Sequence, residues 1–465
     1  MKVCIAGASG FVGMALIKEL STDSDFQVVA LSRSSEHSDE SGMLEWRKCD
    51  LFSLLDVENA MSGCDVAVYL VHSMLPSANL VQGSFEDFDA ILADNFSRAA
   101  RKNRIQHIVY LGGIVPEAKR LSAHLRSRLE VEEVLGVSGV PVTALRAGLV
   151  IGSGGSSFRL MYNLVRRLPL MLCPNWTSTL SCPVALKDVL ASISFCLKNT
   201  QTRSRVYDLG TEPFVSYRSM MMHLSAKLGF KRYLLPVPFV SPFLSRLWVS
   251  LVTGAPRNLV YPLVASLTSK MLPRADHRLE IPNHKWQSPY EAIDEAVLES
   301  DLKLLPRAFR TPKTDSDKDV RSVQRIIPRK PTSAKIVAEK YFKWLPRFYT
   351  PFIKVQFDQE YIYFKFPLLR IPLLVLKYSE ERSTDDRQLY YIKGGLLAYG
   401  QGRGRLEFRN VLNKAITIVA IHEFRPRLPW LIYKYTQALL HAFTMERFKQ
   451  RLIKQKVSNG GGEKL

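Results

Sequence analysis

Through the first part of the chain, short apolar runs alternate with segments whose apolar residues recur at helical spacing. Lys2 to Ala6, Gln27 to Ser32, Val66 to Val71, His107 to Leu111 and Val142 to Leu145 read as strands. Between them, Phe85 to Lys102 sets Phe88, Ile91, Leu92, Phe96 and Ala99 on one helical face, and Arg126 to Leu135 behaves similarly. Strands alternating with helices predict right-handed crossovers and a doubly wound parallel α/β sheet. A second region, from about Gly152 to Glu299, mixes helices with short strands such as Val206 to Leu209 and is expected to form a smaller substrate region. Within it, Pro236, Pro238, Pro242, Pro256 and Pro262 interrupt apolar helical segments.

The pattern changes after residue 300. Residues 301–343 are rich in basic residues and proline and read as a basic linker; residues 344–456 read as an α+β domain, and 457–465 as a disordered tail. In that domain Tyr361 to Lys365, Leu373 to Tyr378, Leu389 to Lys393, Gly404 to Val411 and Ala415 to Phe424 have antiparallel β character. The last two are joined by Leu412-Asn413-Lys414, a short hairpin connection in which Asn can take a left-handed position. One long helix, about Pro429 to Lys454, is expected to close the domain. Curved strands followed by a long helix resemble a START-like or polyketide-cyclase-like helix-grip fold, whose shape implies an apolar cavity. Glu407, Arg409, His422 and Glu423 alternate on these strands without a metal-ligand spacing or a catalytic triad.

The first strand runs directly into Gly7, Gly10 and Gly13 and then an amphipathic helix, Met14 to Leu20. Gly7 permits a tight turn, Gly10 admits a pyrophosphate close to the backbone, and Gly13 lets the helix pack on the strand. An anion would then meet the positive helix end and its N–H groups. Strand before and helix after make this a dinucleotide site rather than an ordinary glycine turn. At the end of the second strand, Ser32-Arg33 stands where NAD selection would place a carboxylate. A hydroxyl followed by a guanidinium suits a 2′-phosphate, so NADP is expected over NAD. Asp50, followed by Leu51, stands either beside the adenine amino group or as a helix cap.

Length and charge bound the rest. The 465 residues suggest two or three domains, and no apolar stretch reaches the roughly 18 to 20 residues of a membrane-spanning helix. The opening strand and glycines also leave no room for a signal peptide. Six cysteines without a Cys-x-x-Cys pair indicate neither a disulfide framework nor a metal site, and fit a reducing cytoplasm. The net charge of +21 is uneven: the first hundred residues carry about −9 and the remainder about +30. Such a field suits a solvated surface, an acidic partner or peripheral contact with an anionic membrane, while the spread of basic residues argues against nucleic acid. The stretch Pro236 to Leu272 has three readings: core packing, a pocket for an apolar small molecule, or contact with a lipid surface.

Gly7-Ala8-Ser9-Gly10-Phe11-Val12-Gly13, Ser32-Arg33, Cys49-Asp50-Leu51, Tyr69-Leu70-Val71-His72-Ser73-Met74 and Leu145 to Gly152 together resemble the atypical short-chain dehydrogenase/reductases of the NmrA/YbjT type. The resemblance covers about residues 1–300. It implies a Rossmann domain that holds NAD(P) through the glycine segment, including Ser9, Phe11 and Val12. Leu70, Val71 and His72 would line the adenosine-ribose side, and Leu111 to Gly113, with Gly112, would lie near the nicotinamide. Ala147 and Gly148 would begin a segment closing over the nicotinamide ribose. The wider superfamily carries Tyr-x-x-x-Lys after the fifth strand; here the aligned residues are His124-Leu125-Arg126-Ser127-Arg128. His124 and Arg128 share a helical face. His124 is then a proton donor, a cofactor-positioning group or a surface histidine, and Arg128 a ribose or phosphate contact whose charge opposes protonation of the imidazole.

Other candidates have plain structural readings. Ser156 and Ser157 are expected in a loop near the substrate, Asp188 as a helix cap, and Met220 to Met222 and the surroundings of Trp248 as core. The chain is thus expected to be an NADP-binding reductase acting on an apolar carbonyl, olefin or quinone, or a non-catalytic NADP(H)-dependent sensor or assembly factor.

Overall fold

The computed structural model describes residues 1–33, 37–38, 42–72, 80–117, 121–237, 242–299, 319–400 and 402–454. The chain divides into two compact units: Met1–Leu75 with Asp89–Pro312, and Pro76–Phe88 with Lys313–Leu465.

The first unit is built on an eight-stranded sheet. Its spatial order is Val206–Asp208, Val142–Ala147, Ile108–Gly113, Val66–Tyr69, Lys2–Ala6, Gln27–Ser32, Leu44–Lys48 and His37–Ser38. Seven strands run parallel, and only His37–Ser38 is antiparallel to its neighbour. Strand order reverses around Lys2–Ala6, so Gly7 and Leu70 leave neighbouring strands at the same sheet edge. That edge is the switch point at which open α/β sheets bind ligands. The strands read as continuous apolar runs because helices cover both faces. Val3, Ile5, Val28, Ala30 and Val68 share one core with Leu16, Ile17 and Leu20 of the helix Phe11–Leu20 and with Val189 and Ile193 of the helix Leu186–Lys198.

A smaller region is added from Val150 onward. Its paired strands Leu170–Pro174 and Tyr233–Val237 accompany the helices Ser156–Arg167, Tyr217–Lys227, Pro242–Thr253, Arg257–Ser266 and Pro289–Leu298. Ser156 and Ser157 therefore begin a helix instead of forming the expected loop. Asp188, fully buried, does not cap its own helix. It accepts from His284 Nε2 at 2.9 Å and from the Gln287 N–H at 3.0 Å, fixing a distant segment.

The second unit carries another eight-stranded sheet, ordered Lys354–Asp358, Tyr361–Lys365, Leu374–Tyr378, Arg387–Gly394, Arg405–Val411, Ile416–Phe424, Val320–Ile326 and Leu80–Gln82. All neighbours are antiparallel except the last pair, which is parallel. Leu406 and Phe408 point toward Tyr341, Phe342 and Trp344 of the helix Ala334–Phe348 and Phe448 of the helix Gln437–Lys454. On the alternate positions lies a buried charged network: Glu407 accepts from Arg387 Nε at 2.5 Å and from Arg409 Nε at 2.9 Å, with His422 Nε2 3.7 Å away. Despite burial, the guanidiniums of Arg387 and Arg409 hold the Glu407 carboxyl well below the usual range.

Two boundaries differ from expectation. The linker expected over 301–343 includes the strand Val320–Ile326 and the beginning of the helix Ala334–Phe348, both in the second unit. Arg321 and Arg325 within that strand hid its β character, because charged residues seldom mark a paired central strand. The closing helix is also two helices, Trp430–Tyr435 and Gln437–Lys454, broken at Thr436 where φ is −125° and ψ −81°. The hairpin between the last two long strands behaves as expected and goes further, with positive φ at Leu412, Asn413 and Lys414 alike. The expected tail, 457–465, lies outside the described residues.

Candidate functional site

At Gly7 and Gly13 the backbone leaves no room for a side chain. Gly7 has φ of +84°, a left-handed value, and a Cβ there would stand 3.0 Å from the Leu70 carbonyl. At Gly13 a Cβ would come within 2.3 Å of the Gly7 oxygen and 2.7 Å of the Ala8 oxygen, so the helix can approach the strand only without a side chain. Gly10 N-caps the helix with no side-chain hydrogen bond, and its own N–H donates to Gly7 O at 2.9 Å. The first-turn N–H groups of Phe11–Leu20 are thus left uncapped by any side chain, which is what a pyrophosphate requires. Ser9 and Gly10 are exposed at this turn, whereas Ala8 is buried.

Phe11 closes the other side. Its ring fills the space above Gly152, Gly154 and Gly155, at each of which a Cβ would lie 2.5 to 3.1 Å from a ring carbon. Val12, partly buried, packs on the main core.

At the second strand's end Ser32 is buried and accepts the Cys49 N–H at 2.7 Å, while Arg33 is exposed. Asp50 accepts from the Phe52 N–H at 3.1 Å, an Asx turn leading into the helix Leu54–Ala60, which Ser53 caps. Leu51 contributes its carbonyl to Asn95 Nδ2 at 2.7 Å. Leu70 and Val71 are half-buried beyond the strand Val66–Tyr69; Ser73 and Met74 lie outside the described residues.

His72 and His124 come together. Their ring centroids are 5.0 Å apart, and His72 Nδ1 meets Asp89 Oδ2 at 2.8 Å. Ser127 Oγ donates to the same carboxylate oxygen at 3.0 Å. Sequence reasoning missed Asp89 and Ser127, since an aspartate on the polar side of an amphipathic helix looks like an ordinary solvated residue. Burial and the Arg128 charge lower the His72 pKa. Burial, His72 and Arg128 hold His124 well below the usual imidazole range. Both rings are therefore neutral at pH 7. The buried Nδ1 of His124 has no hydrogen-bond partner among the described residues.

Arg128 lies under the end of the strand Ile108–Gly113. Its Nη1 donates to Leu111 O at 3.4 Å, and its carbonyl accepts from Tyr110 Oη at 3.0 Å. Gly112 accommodates the Tyr110 ring, to which a Cβ would come within 2.9 Å. Gly148 is equally tight, with 2.6 Å from a Cβ to Cys182 O.

Beside these residues opens a cavity of about 160 Å³ whose lining is almost wholly apolar. Gly113, His124, Ala147 and Gly148 bound it on the sheet side; Met171, Trp176, Met221, Trp248 and Leu263 line the added region. Met220 is core as expected, whereas Met221 and Trp248 face the cavity and Met222 is exposed. The stretch Pro236 to Leu272 thus supplies pocket wall through its two helices. A proline-broken apolar segment was the available signal, and it is shared by cores and pockets.

Residues 7–163 match the NAD(P)H-binding family. The auxiliary protein GraX of Staphylococcus aureus (strain NCTC 8325 / PS 47) is 31% identical over 141 residues, 30% of this chain and 42% of GraX, so the match spans less than half of that relative. A nucleoside-diphosphate-sugar epimerase from Staphylococcus aureus superposes with a TM-score of 0.51 at 16% identity, covering 63% of this chain and 100% of that one. Citrobacter sp. triphenylmethane reductase gives a TM-score of 0.51 at 17% identity, covering 64% and 100% respectively. These structures share the fold. The amino-terminal part of the chain therefore has a Rossmann-like fold and carries a match to an NAD(P)H-binding family over residues 7–163.

Proposed function

We propose that the protein is an NADP(H)-dependent reductase of an apolar carbonyl, olefin or quinone. The observation that carries this reading is the cavity: an apolar chamber bounded by Gly113, His124, Ala147 and Gly148, the residues that the resemblance sets around the nicotinamide. The cofactor, when bound, supplies the hydride. Gly7, Gly10 and Gly13 bind its pyrophosphate, and exposed Arg33 offers a guanidinium for a 2′-phosphate. Met171, Trp176 and Trp248 give the acceptor an apolar wall.

His124 is the polar group best placed to orient an acceptor oxygen. Neutral, it offers a single N–H donor and one lone pair, and the cation at Arg128 makes an imidazolium reservoir costly. The proton that follows hydride addition then comes from water, and His124 positions the oxygen that receives it. Loss of the Tyr-x-x-x-Lys pair favours a second reading, a dinucleotide sensor that binds without turnover.

NADPH absorbance followed with quinones and aldehydes separates the two. Reductase action predicts NADPH consumption, reduced in kcat by about tenfold or more in His124→Ala with binding retained. Tight NADPH binding with no consumption across the panel would leave only the sensor.

A further inference from the structure

The second unit exposes an apolar rim at one end. Leu368 is 86% exposed and Leu369 45% exposed in the loop between the strands Tyr361–Lys365 and Leu374–Tyr378, a loop tightened by the Leu369 N–H donating to Phe366 O at 2.9 Å. Phe366 stacks on exposed Phe352, with centroids 6.3 Å apart, and the Phe352 N–H donates to Tyr349 O. Tyr349 Oη in turn meets Thr444 Oγ1 at 2.6 Å, while Phe348 lies 6.3 Å from Phe443. Through these links the loop is continuous with the helix Gln437–Lys454. That helix buries Ala438, Met445 and Phe448 and turns Leu439, Leu440 and Phe443 outward.

Basic side chains surround this rim. Arg347, Lys354, Arg370, Lys434 and Arg447 are all exposed, and the Arg447 guanidinium lies 5.1 Å over the Phe443 ring. Residues 313–465 carry 30 Lys and Arg against 14 Asp and Glu. Water-exposed leucines at a loop tip, aromatic rings at their base and cations around them match a bilayer interface. There, apolar tips enter the acyl boundary while Lys and Arg meet lipid phosphates. No described helix is long and apolar enough to cross a membrane, so the contact is peripheral.

We infer that the rim formed by residues 348–371 and the outward face of the helix Gln437–Lys454 docks on an anionic lipid surface. A protein groove would want a concave, preformed seat, and nucleic acid would want stacking aromatics along a basic track; exposed aliphatic side chains at a loop tip with basic residues nearby fit neither. The proposal is independent of the chemistry in the first unit.

The test is flotation of the full chain with vesicles of phosphatidylcholine alone or containing phosphatidylglycerol. The wild-type chain should float with the anionic vesicles at low salt and be released as salt rises. L368S/L369S and, separately, L439S/F443S should each weaken flotation by at least roughly tenfold, because each removes two apolar side chains from the buried contact. L247S/L251S, on an exposed stretch of the first unit, should float as the wild type does. Absence of flotation by the wild-type chain, or flotation of both rim variants equal to that of the wild type, would overturn the proposal. So would a vesicle-free dimer that both rim variants dissociate, or duplex DNA binding that they abolish without any vesicle binding.

Discussion

Gly13 and Gly136 both lack a Cβ, in opposite circumstances. A Cβ at Gly13 collides with two backbone oxygens, whereas at Gly136, ending the helix Ala123–Gly136, nothing lies within 4 Å. Gly13→Ala is therefore expected to destabilise the first unit by about 1–3 kcal/mol, and Gly136→Ala to stabilise it by about 0.4–1 kcal/mol. Thermal melts of the two variants check the contrast. His107 gives a pH-dependent counterpart. It is buried at 1% exposure, and Thr143 Oγ1, 2.7 Å from its Nε2, has committed its own proton to Thr202 O. The ring therefore donates from Nε2. Burial, with Arg203 second, pushes its pKa down to about 4. Because the unfolded chain binds that proton near pH 6.5 and the folded chain only near 4, stability falls as pH drops through this window and the loss levels off below it. The contribution at pH 4 is on the order of 2–3 kcal/mol. Denaturant melts of His107→Gln should show a shallower decline between pH 6.5 and 4 than the wild type.

At the scale of elements, the hairpin Leu412-Asn413-Lys414 tests the backbone directly. All three residues have positive φ, and Lys414 has the largest at 71°. A side chain in this region costs roughly 1 kcal/mol, so Lys414→Gly should raise the second unit's stability by up to about 1 kcal/mol, read from its melting temperature. The same elements show what was legible in the sequence. Lys2–Ala6 and Gln27–Ser32 were readable because parallel strands covered on both faces are continuous apolar runs, and Phe85–Lys102 because its apolar stripe is regular. Val320–Ile326 was not, since Arg321 and Arg325 take the alternate positions of the strand and break its β signature. The cradle was legible because its requirements are local. His72 and His124 were each picked out, but their juxtaposition depends on Asp89, which arrives from the helix Phe85–Lys102 and joins His72 to Ser127 of the His124 helix. The cavity was hidden for a similar reason: periodicity marks a residue as turned inward without saying whether packing there is complete.

For the whole molecule, the division into two units makes cofactor binding a selective perturbation. Ligand at about 100 times its Kd stabilises the binding state by about 2.7 kcal/mol. Calorimetry with NADPH should accordingly move the transition of the first unit upward and leave that of the second in place. The uneven charge follows the same division of labour. The acidic first hundred residues hold the glycine cradle, where backbone N–H groups rather than net charge attract the pyrophosphate, and the basic excess lies elsewhere, with 30 Lys and Arg in residues 313–465. NADP(H) is proposed to sit in the glycine cradle. Titration of the wild type and Gly13→Ala with NADPH and NADH, followed by nicotinamide fluorescence, tests it most directly. Saturable binding to the wild type is expected, tighter for NADPH than for NADH, with at least roughly tenfold weaker binding to a Gly13→Ala variant that retains native circular dichroism. Saturation by neither nucleotide in the folded wild type, or equal affinity of the two proteins, would contradict it.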